Sequence, residues 1–234
     1  MNNTGIVFLT GAGFDGSIWQ AVTPQLTVPF VTVNYPERHN GKKAQELSFD
    51  RYIESALRQI ESLKTEKVII VGHSIGGVVM MRLGELLGGR VVGRVAIAAA
   101  IPHSGGSFLS CLPQPKRFIM GVVLKLAGTE VPSSAIRSGL CSDLSDEQAQ
   151  KIVDGFTAES RALYETSVQY TTKSLLSLYI VTTKDSEFDV PLQKRMAERM
   201  AGEIVEIPSG HLPMISQPEK VATVINGFLG KLQR

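Results

Sequence analysis

The sequence predicts an α/β fold: a mostly parallel sheet of about six strands, flanked by helices, with a helical insertion over one edge. Three observations predict it. Short apolar runs rich in β-branched residues recur along the chain, as at Gly5–Thr10 and Lys67–Gly72. Segments with apolar residues at helical spacing separate them. The runs are mostly apolar, as parallel strands covered on both faces are.

The elements follow in order. Gly5–Thr10 reads as a first strand ending at Gly11, and Phe30–Asn34 as a second, closed by Tyr35-Pro36. In Ser48–Lys64, the residues Phe49, Tyr52, Ile53, Ala56, Leu57, Ile60 and Leu63 recur at the spacing of one helix face. Ser48 is placed to cap it. Lys67–Gly72 is a third strand. The helix from Ile75 to about Leu87 is stopped by Gly88-Gly89, and Val91–Ala99 is a fourth strand. The alternation then breaks. The stretch from Ile101 to Thr172 holds Gly105-Gly106, the prolines Pro113, Pro115 and Pro132, and helical patterns such as Ser145–Phe156. It resumes with a strand at Leu175–Thr182, a helix at Pro191–Ala201, a strand at Glu203–Ile207 and a helix at Pro218–Leu232. Residues 1–100 and 173–234 are therefore expected to form the core, and 101–172 a cap inserted in it. Ligands of such sheets bind outside the carboxyl ends of the strands, where a cap would roof them.

Composition narrows the function. A chain of 234 residues is long enough for one domain with a sizeable core. Its net charge of +2, with no basic run longer than a pair such as Lys42-Lys43, argues against a nucleic-acid or membrane partner. No apolar window reaches the roughly 18 residues of a membrane span. Ile119–Leu126 is broken by Gly121 and Lys125. Met1-Asn2-Asn3-Thr4 does not resemble a signal peptide. Cys111 and Cys141 are expected as free thiols in a reducing cytoplasm. No Cys/His spacing suits zinc, so neither metal nor cofactor is expected. The expected partner is a small molecule, and the expected state a monomer or homodimer.

The chemistry centres on Gly72-His73-Ser74-Ile75-Gly76-Gly77, where G-x-S-x-G lies between a strand and a helix. So tight a turn strains the serine backbone and leaves no room for side chains two residues either side. It presents the Ser74 hydroxyl at the top of the sheet, with the Ile75 amide placed to hold an oxyanion. A serine needs a base. Of the four histidines, His73 lies inside the turn, His39 sits in a charged loop and His103 follows the fourth strand, near the cap entry. His211 alone lies after the last strand, with chain order serine, acid, histidine. The acid belongs after the strand Leu175–Thr182, where Asp185, Glu187 and Asp189 occur. Asp185 is nearest the strand end; Asp189 is its rival, placed also to cap the next helix. A second oxyanion amide is expected from Ala12 in Thr10-Gly11-Ala12-Gly13-Phe14. That loop continues to G-x-G-x-x-G, a weak dinucleotide signal that lacks an acid at the end of the second strand. Pocket candidates are His103, Phe108, Phe118 and Leu212.

Gly11-Ala12 with Trp19, the elbow around Ser74, and Gly210-His211-Leu212-Pro213-Met214-Ile215-Ser216-Gln217-Pro218 resemble the α/β-hydrolase superfamily. The nearest branch is that of plant methylesterases and hydroxynitrile lyases, with bacterial esterase relatives. Asp185 followed by Gln193 and Met196 is similar to that branch's acid loop, which strengthens Asp185 over Asp189. The resemblance covers the core strands, the elbow and the C-terminal third, and matches the cap poorly. It implies a serine carboxylesterase; the apolar residues of the inserted segment, among them Phe108, Leu109, Leu112, Phe118, Ile119 and Leu126, suggest small apolar esters, methyl or aryl esters among them. A thioesterase or lactonase, or a slow-turnover receptor, would use the same triad. Thr10 stands where the branch commonly has histidine. Leu212 stands where hydroxynitrile lyases have lysine, which argues against cyanohydrin cleavage. Ser74 argues against the aspartate-nucleophile dehalogenases and epoxide hydrolases.

Overall fold

A computed structural model describes residues 3–37, 44–171 and 175–232. His39 and the Lys42-Lys43 pair lie outside them. Six strands form one sheet in the order β2-β1-β3-β4-β5-β6. They are β1 Thr4–Leu9, β2 Phe30–Thr32, β3 Lys67–His73, β4 Val91–Ile97, β5 Leu176–Thr182 and β6 Glu203–Ile207. Every neighbouring pair is parallel.

Alternate residues of the central strands feed two cores. In β1, Val7 and Leu9 face one and Ile6 and Phe8 the other, all fully buried. The first core is closed by α1 Phe49–Glu61, α2 Gly76–Leu87 and, further along the chain, the helix Val190–Glu198. The second is closed by the Gly16–Trp19 turn and the C-terminal helix Pro218–Leu232. Burial on both faces explains why the central strand runs show no polar alternation.

Element ends moved by a few residues. The second strand stops at Thr32 rather than Asn34. The Asn34 amide and carbonyl instead bond the Gln59 side chain. Ser48 holds the N-cap position of α1 without a side-chain hydrogen bond. The helix after the elbow starts at Gly76, because Ser74 still belongs to the turn.

Between β4 and β5 the described residues hold α3 Phe108–Cys111, α4 Lys116–Leu126, α5 Ser133–Ala135 with a π-turn at Ile136–Leu140, α6 Asp146–Gly155 and α7 Arg161–Glu165. Ser145 and Gln148 form a reciprocal capping box on α6. After β5 come α8 Val190–Glu198, α9 Pro213–Ser216 and α10 Pro218–Leu232. Among the described residues no helix is long and apolar enough to cross a membrane.

Candidate active site

Ser74 sits immediately after β3 with φ +53, the strained conformation its turn requires. The glycines around it are spatial necessities. A Cβ on Gly76 would lie 2.7 Å from the Thr10 carbonyl oxygen, and one on Gly77 2.5 Å from that of Ala100. The Ser74 amide donates to Ile97 at 3.3 Å, and the Ser74 carbonyl accepts from Ala100 at 2.9 Å. The elbow is thus fastened to the end of β4.

His211 follows β6 and is 1% exposed. Its Nδ1 lies 2.8 Å from Asp185 Oδ2. A carboxylate only accepts, so Nδ1 donates in this bond, and the neutral ring carries its lone pair on Nε2. Asp185 Oδ2 also accepts from the Thr182 hydroxyl at 2.9 Å, and Oδ1 from the amides of Glu187 at 2.7 Å and Phe188 at 3.1 Å. Burial raises the Asp185 carboxyl, but the His211 charge and hydrogen bond, with those amides, outweigh it and leave the pKa lowered. Gln193 stitches this loop, donating to the carbonyls of Thr182 and Phe188 and accepting from the Thr182 amide. Asp189 has the other function anticipated for it: its Oδ1 accepts from the Leu192 amide at 2.7 Å and caps α8.

A cavity of about 290 Å³ lies over Ser74. Ala12, Phe14, Ser74, Ile75 and His211 form its floor, and Phe108, Met120, Leu124, Leu140, Phe156 and Tyr164 line it from the segment between β4 and β5. Among the described residues the amides of Ala12 and Ile75 donate no hydrogen bond within the protein. Two unpaired donors therefore border the cavity, one next to Ser74 and one in the loop after β1.

Of the pocket candidates, Phe108 lines the cavity, packed edge-on to Tyr164 with ring centroids 5.5 Å apart. The other three do not, and the expectation is corrected. His103 is exposed, in a turn closed by the Gly106 amide donating to the His103 carbonyl at 2.8 Å. Phe118 is on the outward side of α4, whose Met120 and Leu124 face the cavity. Leu212 is fully buried in the core with Ile180, Ile207 and Met214.

Two neighbours of His211 were not singled out from sequence. His73, inside the turn, packs against the histidine loop. It is fully buried, its Nε2 donates to the His211 carbonyl at 2.9 Å, and the two rings lie 4.9 Å apart. Burial first, and then the charge of His211, push its pKa down to about 3. Its position before the serine was a usable signal. Asp143, from the loop before α6, accepts from the Gly210 amide at 2.6 Å. Nothing in the local sequence marks it. Cys111 and Cys141 are buried free thiols, pushed by burial up to about 12 and about 11.

Solved structures share this architecture. An extracellular alpha/beta-hydrolase from a Paenibacillus species, described as sharing structural and functional homology with tobacco salicylic acid binding protein 2, superposes with a TM-score of 0.83 at 18% identity, covering 95% of this chain and 97% of its own. A polyneuridine aldehyde esterase variant gives 0.79 at 20% identity, covering 95% and 97%. A pyrethroid hydrolase from Sphingobium faniae gives 0.72 at 20% identity, covering 96% of each chain. At these identities the likeness speaks for the fold alone. No curated protein matches the sequence. The model of the alpha/beta hydrolase family matches residues 6–224, nearly the whole chain. With that match over the same strands, elbow and histidine loop, this chain belongs to the alpha/beta hydrolase family.

Proposed function

We propose that the protein is a serine carboxylesterase that cleaves small apolar carboxylic esters, methyl and aryl esters among them, through an acyl-enzyme. One observation carries the reading. Ser74 on a strained elbow and an Asp185-bonded His211 line the same apolar cavity, together with two unpaired amides. Two fold neighbours, named as an esterase and a pyrethroid hydrolase, are consistent with it.

In this reading Ser74 Oγ attacks the ester carbonyl carbon while its proton passes to His211 Nε2. The Asp185 carboxylate stabilises the imidazolium. The carbonyl oxygen takes the negative charge and is held by the amides of Ala12 and Ile75. The intermediate collapses, the alcohol leaves with the proton from His211, and Ser74 keeps the acyl group. Water, deprotonated by His211, attacks that ester in turn and releases the acid. The cavity volume is at the small end of the ~300–1,000 Å³ typical of ligand sites, and its walls are largely apolar. Both features favour short acyl or single-ring substrates.

The test is steady-state hydrolysis of acetyl, butyryl, octanoyl and aryl methyl esters, with a thioester and a lactone alongside. Ser74→Ala is expected to lower kcat by a factor on the order of 10⁴ or more on the best substrate. Turnover by the native chain no faster than by Ser74→Ala on every compound would sink the proposal. A best rate on the thioester or lactone would move the substrate class and leave the triad in place.

A further inference from the structure

The helix α4, which roofs the cavity, is apolar on its outer face as well as its inner one. Its apolar residues do not all face the protein. Phe118 is 69% exposed, Ile119 56% and Leu126 80%, and Val122 and Val123 also stand in solvent. Phe118, Val122 and Leu126 are spaced four apart and make one stripe, with Ile119 beside it. Isolated exposed apolar residues are ordinary on a protein surface, but a contiguous stripe of this kind marks a surface that meets something apolar.

The charges on α4 say what. The helix carries Lys116, Arg117 and Lys125 and no acidic residue. Lys116 donates to the Glu187 carbonyl at 2.6 Å. The side chains of Arg117 and Lys125 have no hydrogen bond or ion pair among the described residues. Two free cations at either end of an exposed apolar stripe is the pattern of a helix lying in a membrane interface, with its apolar face among the acyl chains and its cations at anionic headgroups. A second copy of the chain fits less well. Placing two such helices face to face would bring cations against cations, with no carboxylate on either helix to answer them.

We infer that the outer face of α4 docks on an anionic lipid surface. The docking needs no long basic run in the sequence, because the fold gathers the cations and the stripe onto one helix. The cavity lies directly beneath: Met120, Val123 and Leu124 line it, and Val123 is also partly exposed. A lipid-bound α4 would set the cavity against the phase in which apolar esters dissolve. This last step rests on the esterase reading; the docking does not.

The experiment is co-sedimentation of the full chain with phosphatidylcholine vesicles and with mixed phosphatidylcholine–phosphatidylglycerol vesicles. It is run on the native chain and repeated with Ser74→Ala, so that failure to hydrolyse and failure to dock are separate results. Binding is expected to the mixed vesicles, weaker to phosphatidylcholine alone, and to fall with added salt. Arg117→Gln with Lys125→Gln should weaken binding to the mixed vesicles, by about fivefold per cation removed. Ile119→Ser with Leu126→Ser should abolish binding to both. These residues are at the surface, and an unchanged far-UV circular dichroism spectrum and melting curve verify that each variant is folded. The inference is overturned if the native chain binds neither vesicle, or if the serine variant binds as well as the native chain. It is overturned equally if the native chain is a dimer in the ultracentrifuge, the serine variant a monomer, and neither sediments with lipid; the stripe would then be a subunit interface.

Discussion

Asp185 and Asp189 lie four residues apart on one loop, and their surroundings give them different work. Asp185 receives four hydrogen bonds, from His211, Thr182 and the amides of Glu187 and Phe188. Asp189 receives the amide of Leu192 at the start of α8. Substituting each separately should therefore divide catalysis from stability. Asp185→Asn keeps the shape but presents an amide that can donate toward Nδ1, and so favours the wrong imidazole tautomer. It is expected to lower kcat on the order of 10³–10⁴-fold. Asp189→Ala removes a helix cap and should cost about 1 kcal/mol of stability, with kcat close to native. Ester turnover and urea denaturation of both variants check this. A large loss of kcat in the alanine variant with little loss in the asparagine variant would transfer the orienting role to Asp189. Sequence position alone favoured Asp185, and the resemblance added Gln193. The physical basis of that pairing is now visible: the Gln193 amide bonds both ends of the loop that holds Asp185.

At the scale of elements, legibility follows the range of the contacts. The strands and α2 were readable because their apolar residues are dictated by one layered geometry. The elbow was readable because its glycines and serine fall together between one strand and one helix, although the atoms that exclude side chains at Gly76 and Gly77 belong to Thr10 and Ala100. The segment between β4 and β5 was less so. Apolar spacing shows that α4 has faces, but only tertiary packing decides which face turns inward, so Phe118 was assigned to the pocket and lies in solvent. His103 failed for a similar reason: a turn closed at Gly106 carries it away from the cavity. Asp143 is the long-range case. It joins the inserted segment to the histidine loop across 67 residues of sequence, through the Gly210 amide. Its other oxygen, Oδ1, is buried without a partner among the described residues. The loop that carries His211, the proposed base, is therefore held by Asp143 ahead of His211 and by His73 at the His211 carbonyl. Asp143→Ala is expected to lower kcat about ten- to a hundredfold, with KM near native because Asp143 does not line the cavity. Asp143→Asn keeps an oxygen for the Gly210 amide and should restore most of the rate. Native kcat in the alanine variant would show that the loop holds its place without this bond.

Across the whole molecule, the buried site makes stability depend on pH, and the sign follows from His73. Its folded pKa is pushed down to about 3 from the ordinary 6.5, because the neutral ring is enclosed and faces a second imidazole. Between those values the unfolded chain binds a proton that the folded chain refuses. Stability therefore rises with pH across that window, is fully present above 6.5, and is lost as pH falls toward about 3. One proton allows a slope of at most about 1.4 kcal/mol per pH unit. Asp185 adds to the same trend lower down. Its carboxyl is held below the ordinary 3.8, so its contribution is present above that value and fades as pH falls through the folded pKa. Of these two groups, only His73 acts between the ordinary carboxylate value of 3.8 and 6.5. Urea denaturation at intervals from about pH 7 to about pH 4 should show stability falling on acidification in the native chain. His73→Asn removes the titrating ring; whatever its stability at neutral pH, its slope over the same range should be shallower by up to one proton. An unchanged slope in that variant would mean that the enclosed ring is protonated as easily as in the unfolded chain, contrary to its burial between the elbow and the histidine loop.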